Sequence, residues 1–394
     1  MTSSAQIRAV PVAAQQPPWD AHPDIGPVRQ TLTVLPELVP PWEIRSLLAA
    51  LARVERGAAL LLHVGECAEL FSMASPTHID RRLLLYRQLA DRLAERSGRE
   101  VVLLARMAGQ HAKPRSQPYE TLPDGSRVLT YRGDAVNGVA CSADERAPEP
   151  ARLLESYGRS HRTLVYLRRH QYLGRPLFVS HEALLRDYEE PLTRDHGVRY
   201  AASAHLVWIG DRTRGAVDWH INWAASIANP VAVKLGPTTE AHELTEIVRT
   251  LNCPPVPGRL GLIARMGVGH TDRLRALTGA LSALDAAALW VCDPMHGNTI
   301  RAGERKTRLL CDMRAEITAF VTILTAAGVH PAGLHLEVTP DQVRECGADQ
   351  PDADPGAAPP CDPRLNPDQA TTIIDHFAAE LAARALTTEE RRSS

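Results

Sequence analysis

Eight short apolar runs alternate along the chain with longer stretches of helical spacing, and a Pro-led helical segment at 41–56 precedes the first run. The runs occupy residues 58–64, 101–105, 177–180, 205–210, 231–236, 259–265, 288–293 and 334–338. A short apolar run is typical of a strand that is buried on both faces, as in a parallel sheet. Parallel strands require crossover helices, and a closed sheet has no free edges. The pattern therefore predicts an α/β fold, a (β/α)₈ TIM barrel.

The same pattern divides the chain into three segments. Residues 1–40, rich in Pro, Gln and small side chains, are predicted to form an N-terminal extended arm. Residues 41–387 are predicted to form a single barrel domain, and residues 388–394 a charged, frayed tail. Two polar stretches interrupt the barrel repeat. We expect residues 116–151 to form a long functional loop and residues 347–360 a mobile excursion.

The charge balance argues against several classes of partner. The chain has 44 Lys and Arg against 46 Asp and Glu, a net charge of −2, so we expect no nucleic-acid partner and no membrane surface. No stretch approaches the roughly 18 apolar residues of a membrane span. The N-terminus lacks the basic and apolar regions of a signal peptide. Seven scattered cysteines favour a reducing compartment. These features predict a cytoplasmic enzyme.

Polar side chains cluster at the carboxyl ends of the predicted strands, where TIM barrels carry their active sites. One set, which could bind a metal, is Cys67, His296, Glu337 and Asp362. A thiolate, an imidazole and two carboxylates together suit a divalent transition ion or Mn²⁺. The other set is cationic and comprises Arg106, Lys113, Arg115, Arg212, Lys234 and Arg265. Cations at one barrel mouth repel one another unless an anion neutralises them, so we predict phosphorylated substrates.

Each of these residues also has an ordinary structural explanation. Cys67 alone could be a small core residue, His296 a hydrogen-bonding loop residue and Glu337 a solvated charge. The prediction depends on polar residues recurring at the same end of successive strands. From the residues alone, the sequence predicts a metal-dependent barrel enzyme that acts on phosphorylated anions. A barrel aldolase or phosphatase with another phosphorylated substrate stays open, as does a non-catalytic regulatory homologue.

Longer motifs carry a resemblance to a known family. In chain order they are GECAE, RMAGQHAKPRS, YRGDAVNG, SHEALLRDYE, IANPVAVKLGP, CDPMHGNT, HLEVTPDQVREC and CDPRLNP. With these motifs the chain resembles the class II, plant-type 3-deoxy-D-arabino-heptulosonate 7-phosphate (DAHP) synthases, in the short form found in specialised-metabolite pathways. The resemblance extends from about residue 16 to the final helix.

The resemblance implies a TIM-barrel transferase that condenses phosphoenolpyruvate with erythrose 4-phosphate, the first step of the shikimate pathway to chorismate and the aromatic amino acids. It also implies a divalent metal ion, Mn²⁺, Co²⁺ or Fe²⁺, no organic cofactor, and a homo-oligomer.

The resemblance further implies a role for each matching residue. Cys67, His296, Glu337 and Asp362 would bind the metal. Phosphoenolpyruvate would be held by Arg106, Asp211, Arg212, Lys234 and Arg265, and the aldose phosphate by Lys113, Arg115 and Ser116. Lys113, Asp211, Cys67 and His296 would act in catalysis.

Two departures from the family pattern bear on the substrate. Asp211 stands where the family usually has Glu, and the sequence RMGVGH after the sixth run replaces the usual RMGN. An amino or imino analogue of the aldose phosphate, as used in aminoshikimate biosynthesis, is therefore an alternative substrate.

Overall fold

Eight parallel strands form a closed barrel within the part of the chain that the structure describes. This structure, a computed structural model, describes residues 12–122, 124–170, 176–215, 217–252, 254–284, 286–303, 305–353, 359 and 361–393, with side chains to residue 384. The strands are β1 (Ala59–Gly65), β2 (Glu100–Arg106), β3 (Leu177–Glu182), β4 (Leu206–Ile209), β5 (Val231–Leu235), β6 (Leu260–Ala264), β7 (Leu289–Cys292) and β8 (Pro331–Glu337). Each strand pairs with the next, and β8 pairs with β1. Each overlaps one predicted run, so the predicted TIM barrel is confirmed.

Helices connect and surround these strands. They are α1 (Ile25–Val34), α2 (Pro41–Glu55), α3 (Pro76–Ser97), α4 (Arg152–His170), α5 (Trp219–Ala225), α6 (Ala241–Leu251), α7 (Arg273–Ser282), α8 (Leu310–Ala326) and α9 (Pro367–Ser393). Shorter helical turns lie at Phe71–Met73, Ala143–Arg146, Arg186–Glu189, Val268–His270 and His296–Asn298. Among the residues that the structure describes, hairpins pair Tyr119–Thr121 with Arg127–Leu129, Thr193–Asp195 with Arg199–Ala201, and Ile300–Ala302 with Arg305–Thr307. Within the described residues, no helix has the length and apolar character needed to cross a membrane.

Part of the predicted extended arm is helical. In α1, the side chains of Ile25, Val28 and Leu32 are buried, and their spacing places them on one face. Gly26 and Pro27 in the first turn concealed this helix at the level of sequence, although a first turn tolerates proline. Residues 1–11 of the arm lie outside the described residues.

Two other predicted segments are partly described. Residues 354–358 and 360 of the predicted excursion lie outside the described residues. The last helix, α9, continues to Ser393, past residue 387 where we expected the chain to fray.

The barrel interior is apolar at one end and charged at the other. Near the amino ends of the strands, inward side chains form an apolar cluster that includes Leu61 and Val102, and Leu47 and Leu51 of α2 cover it. Because alternate residues of a strand face inward, the same strands place charged side chains inside the barrel at their carboxyl ends. These include the buried Arg106, Lys234 and Glu337 and the half-buried Glu182. The fold therefore collects the charges at one end and closes the other end with α2.

Candidate active site at the carboxyl ends of the strands

A cavity of about 750 Å³ opens at the carboxyl ends of the barrel strands. All but one of the predicted site residues line it: Cys67, Arg106, Lys113, Arg115, Ser116, Asp211, Arg212, Lys234, Arg265, His296 and Asp362. The remaining one, Glu337, ends β8 and is fully buried against His296. The structure therefore brings the two predicted sets of residues into one cavity.

The four predicted metal ligands converge. One ligand atom each of Cys67, Glu337 and Asp362 lies within 4.8 Å of the others. Nε2 of His296 lies 3.1 Å from Oε1 of Glu337. One thiol, one imidazole and two carboxylates form a donor set that suits a divalent transition ion or Mn²⁺, so these residues fit the metal that the sequence implied.

The Lys113 ammonium lies among these donors. Its Nζ contacts Sγ of Cys67 and lies 2.5 Å from Oδ2 of Asp362. Burial alone would raise the pKa of Asp362, but the charge of Lys113 outweighs burial and holds that pKa well below its usual value. Asp362 is thus ionised and already holds one cation of the cluster, the Lys113 ammonium.

Glu337 is held by two arginines. Its Oε1 accepts a hydrogen bond from Arg106 at 3.1 Å and its Oε2 one from Arg308 at 2.7 Å. Gly65 pairs in register with both Arg106 and Glu337, and a Cβ at this glycine would lie 2.5 Å from Cβ of Arg106. The glycine therefore leaves the room that Arg106 needs. The sequence analysis missed Arg308 because this residue lies just before α8 and not at the carboxyl end of a strand.

Asp293 orients His296 and was also missed. Its Oδ2 accepts hydrogen bonds from Nδ1 of His296 at 2.7 Å and from Nζ of Lys234 at 3.0 Å. A proton on Nδ1 leaves Nε2 free to bind a metal, the usual arrangement at histidine ligands. Burial would raise the pKa of Asp293, but His296 and Lys234 hold it well below its usual value. The signal was in the sequence, because Asp293 ends the seventh apolar run.

Asp211 lies between two arginines at the cavity wall. Its Oδ2 lies 2.8 Å from NH1 of Arg265, and its Oδ1 lies 3.0 Å from Nε of Arg214. A Cβ at position 236 would lie 2.8 Å from Oδ2 of Asp211, so Gly236 leaves space for this pair. The arrangement fixes Arg265 beside His296, whose carbonyl oxygen accepts a hydrogen bond from NH2 of Arg265 at 3.3 Å.

Of the predicted aldose-phosphate residues, Lys113 lies among the donor atoms described above, whereas Arg115 and Ser116 line the cavity on the loop after β2. Arg115 forms an ion pair with Glu120 at 3.1 Å. Arg212, one of the residues predicted to hold phosphoenolpyruvate, is exposed and lines the same cavity. The hairpin after β7 adds a cation that the sequence analysis missed, because Nζ of Lys306 lies 2.7 Å from Oδ1 of Asp362.

Glu182 is a further carboxylate of the lining and is half-buried. Desolvation raises its pKa, against the opposing charges of Lys234 and Lys113. A Cβ at Gly210 would lie 2.1 Å from its Oε1, so this glycine leaves room for the position that the Glu182 carboxylate adopts. Its place at the end of the third apolar run could have identified it.

Comparisons with known proteins identify the family of this chain. Residues 2–175 and 169–378 match the model of the class-II DAHP synthetase family. The chain is 37% identical to phospho-2-dehydro-3-deoxyheptonate aldolase of Streptomyces coelicolor, over 92% of this chain and 93% of that protein. It is also 37% identical to a probable phospho-2-dehydro-3-deoxyheptonate aldolase of Pseudomonas fluorescens, over 92% of this chain and 94% of that protein.

A solved structure shows the same fold. The phospho-2-dehydro-3-deoxyheptonate aldolase of Francisella tularensis superposes with a TM-score of 0.55 at 12% identity, covering 96% of this chain and 99% of that one. The family model matches most of this chain, and the Streptomyces and Pseudomonas relatives are each 37% identical to it over most of their length. The chain therefore belongs to the class-II DAHP synthetase family.

Proposed function

We propose that this chain condenses phosphoenolpyruvate with erythrose 4-phosphate and water, giving DAHP and inorganic phosphate. The observation that carries the proposal is the meeting, in one cavity, of a thiol, imidazole and carboxylate donor set with a group of Arg and Lys side chains. A metal site beside an anion site matches a reaction between two phosphorylated substrates. The names of the Streptomyces and Pseudomonas relatives support the same reaction.

Cys67, His296, Glu337 and Asp362 would hold the metal, which we propose to be Mn²⁺, Co²⁺ or Fe²⁺. When bound, a divalent ion supplies a Lewis acid that polarises the aldehyde of the aldose phosphate. Asp293 keeps His296 in the tautomer that this role needs.

Cations would bind the carboxylate and phosphate of phosphoenolpyruvate. Arg106 and Lys234 are buried in the cavity wall, while Arg265 and Arg212 lie nearer the mouth. Such fixed cations need no rearrangement when the anion arrives, so they orient its C3 toward the aldehyde carbon.

The bonds change in a sequence that these residues can support. C3 of phosphoenolpyruvate forms a bond to the aldehyde carbon, and Lys113 gives a proton to the oxygen that becomes a hydroxyl. C2 becomes electron-poor, and a water oriented by Asp211 adds its oxygen there, while one proton of that water replaces the proton that Lys113 gave away. The new C2 hydroxyl then loses its proton to the leaving phosphate oxygen as the bond from C2 to that oxygen breaks, which leaves a C2 ketone and releases inorganic phosphate. Arg115 and Ser116 would hold the phosphate of the aldose.

The first test is the loss of phosphoenolpyruvate ultraviolet absorbance with metal-loaded protein. We expect loss only when both erythrose 4-phosphate and metal are present, with one phosphate released for each molecule consumed. Protein treated with a chelator is the control. If phosphoenolpyruvate is not consumed although metal binds, the proposal is wrong. If phosphoenolpyruvate is consumed only with an amino analogue of the aldose phosphate, that analogue and not erythrose 4-phosphate is the substrate.

We also propose that the enzyme works as a homo-oligomer in the cytoplasm, as the family resemblance suggests. Size-exclusion chromatography with light scattering measures the mass of the protein in solution. A mass equal to that of one chain would contradict the proposed homo-oligomer.

A further inference from the structure

A chain of buried hydrogen bonds crosses the barrel interior beneath the cavity. NH1 of Arg106 lies 3.3 Å from Nε2 of His335, whose Nδ1 lies 2.8 Å from Nδ1 of His63. Nε2 of His63 lies 2.8 Å from Oγ of Ser180, and this hydroxyl donates to the carbonyl oxygen of Ala105 at 3.1 Å. The side chains of these four polar residues come from β2, β8, β1 and β3, so the chain links separate strands.

The direction of every bond follows from Arg106. A guanidinium has donors and no acceptor, so Nε2 of His335 must carry no proton. The proton of a neutral His335 is then on Nδ1 and is donated to Nδ1 of His63. That leaves His63 with its proton on Nε2, which it donates to Ser180. The Ser180 hydroxyl donates its own hydrogen to the carbonyl oxygen of Ala105, so it accepts the hydrogen bond from His63 with a lone pair.

The far side of the Arg106 guanidinium is fixed as well. The centre of the guanidinium lies 5.4 Å from the ring centroid of Trp208, which also packs edge-on against His63 and His335. NH2 of Arg106 donates to Glu337 and to the carbonyl oxygen of Cys67. The guanidinium is thus held in one plane and one position at the floor of the cavity.

We propose that His335, His63 and Ser180 are positioning residues that hold Arg106 for the substrate carboxylate by fixing the tautomers of the two histidines. The inference rests on the proposed function of Arg106 as a ligand of phosphoenolpyruvate. Ser180 acts at a distance, because it is the acceptor that keeps the proton of His63 on Nε2. Without it, His63 can carry its proton on Nδ1, and His335 must then present an N–H toward Arg106.

The test compares two serine variants. Ser180→Ala removes the hydroxyl that accepts the hydrogen bond from Nε2 of His63. Ser156→Ala is the matched control, because Oγ of Ser156 also lies 2.8 Å from a buried histidine nitrogen, Nδ1 of His111, and neither residue belongs to the hydrogen-bond chain that reaches Arg106. Loss of one hydrogen bond corresponds to about a fivefold change in an equilibrium constant.

We expect Ser180→Ala to raise KM for phosphoenolpyruvate about fivefold with little change in kcat, as for lost binding that is equal in ground and transition states. A merely structural role would lower kcat through loss of active protein and leave KM unchanged. Ser156→Ala should leave KM unchanged. An unchanged KM in Ser180→Ala would overturn the proposal.

Nitrogen-15 NMR of histidine-labelled protein tests the tautomers without any activity. Signals of His63 are assigned by their loss in His63→Phe and those of His335 by their loss in His335→Phe. We expect His63 to be protonated at Nε2 alone and His335 at Nδ1 alone, and Ser180→Ala to change the tautomer of His63. The opposite tautomers in the parent protein would overturn the positioning chain. The expected tautomers in a protein that does not consume phosphoenolpyruvate would instead reject the proposed function.

Discussion

Asp293 shows how one residue can orient a proposed metal ligand, His296. It accepts hydrogen bonds from His296, from Lys234 and from two backbone N–H groups. Replacing such a carboxylate behind a histidine ligand typically weakens metal binding about tenfold or more. We expect this loss in Asp293→Asn, measured by competition with a chelator for Mn²⁺ or Co²⁺. Asp195→Asn, in an exposed hairpin, is the control. Equal affinities of both variants would contradict the orienting role.

Arg308 is the corresponding residue for Glu337. Both side chains are fully buried and their closest atoms lie 2.7 Å apart, so removing the arginine leaves a buried carboxylate with one neighbour fewer. Breaking a buried pair typically costs about 3–5 kcal/mol. We expect Arg308→Met to lower the free energy of unfolding by about 3 kcal/mol in urea titrations. The control is Arg53→Met, whose ion pair with Glu100 is about half exposed and should contribute little. Similar losses in the two variants would show that burial is not the cause.

The strand-end argument explains which residues the sequence could reveal. It found Cys67, Lys234 and Glu337 because each lies near the carboxyl end of an apolar run or shortly after it, and it could have found Asp293 and Glu182 in the same way. It could not find Arg308 or Lys306, because they lie in the connection between β7 and α8. Their approach to the site depends on how that connection folds over the barrel mouth. The histidine chain also needs the register of β1 with β8, which places His63 beside His335.

At the scale of elements, α2 acts as the floor of the barrel. Its side chain Leu51 is 2% exposed and packs in the apolar cluster at the amino ends of the strands. Replacing a buried leucine with alanine typically lowers the free energy of unfolding by about 2–5 kcal/mol. We expect Leu51→Ala to lower the free energy of unfolding by about 3 kcal/mol, with KM for phosphoenolpyruvate unchanged. Leu84→Ala on α3, where the leucine is 60% exposed, is the control. A changed KM in Leu51→Ala would show that the floor also shapes the site.

The elements differ in how well their patterns predicted them. Strands buried on both faces give continuous apolar runs, and all eight described barrel strands matched such runs. The pattern of α1 was weaker, since a short helix with Gly26 and Pro27 in its first turn resembles an extended segment. Its burial depends on elements distant in sequence, because it packs against α4 and the helical turn at Arg186–Glu189. Such contacts cannot be derived from local composition.

At the scale of the whole molecule, charges that hold elements together make stability depend on pH. Glu43 of α2 joins Arg168 of α4 at 2.9 Å and His205 beside β4 at 3.1 Å. Burial alone would raise the pKa of Glu43, but hydrogen bonds from His205 and Arg168 outweigh burial and lower it to about 2. The pKa of Glu69, paired with Arg82 and His111, is likewise about 2.

A lowered pKa in the folded state means that the unfolded chain binds protons first as the pH falls. The stability from Glu43 is therefore complete above its ordinary pKa of 4.5 and is lost as the pH falls from there toward 2. Burial lowers the pKa of His205 below its ordinary value of 6.5. The unfolded chain therefore binds a proton at His205 before the folded protein does, so the free energy of unfolding also falls as the pH drops below about 6.5.

We expect the free energy of unfolding in urea to fall steeply below pH 4.5. Glu43→Gln should be less stable than the parent at pH 7, and the difference should shrink toward pH 3. Glu100→Gln, at a half-exposed pair, is the control and should follow the parent at every pH. A difference between Glu43→Gln and the parent that stays constant with pH would show that the Glu43 carboxylate charge does not join these elements.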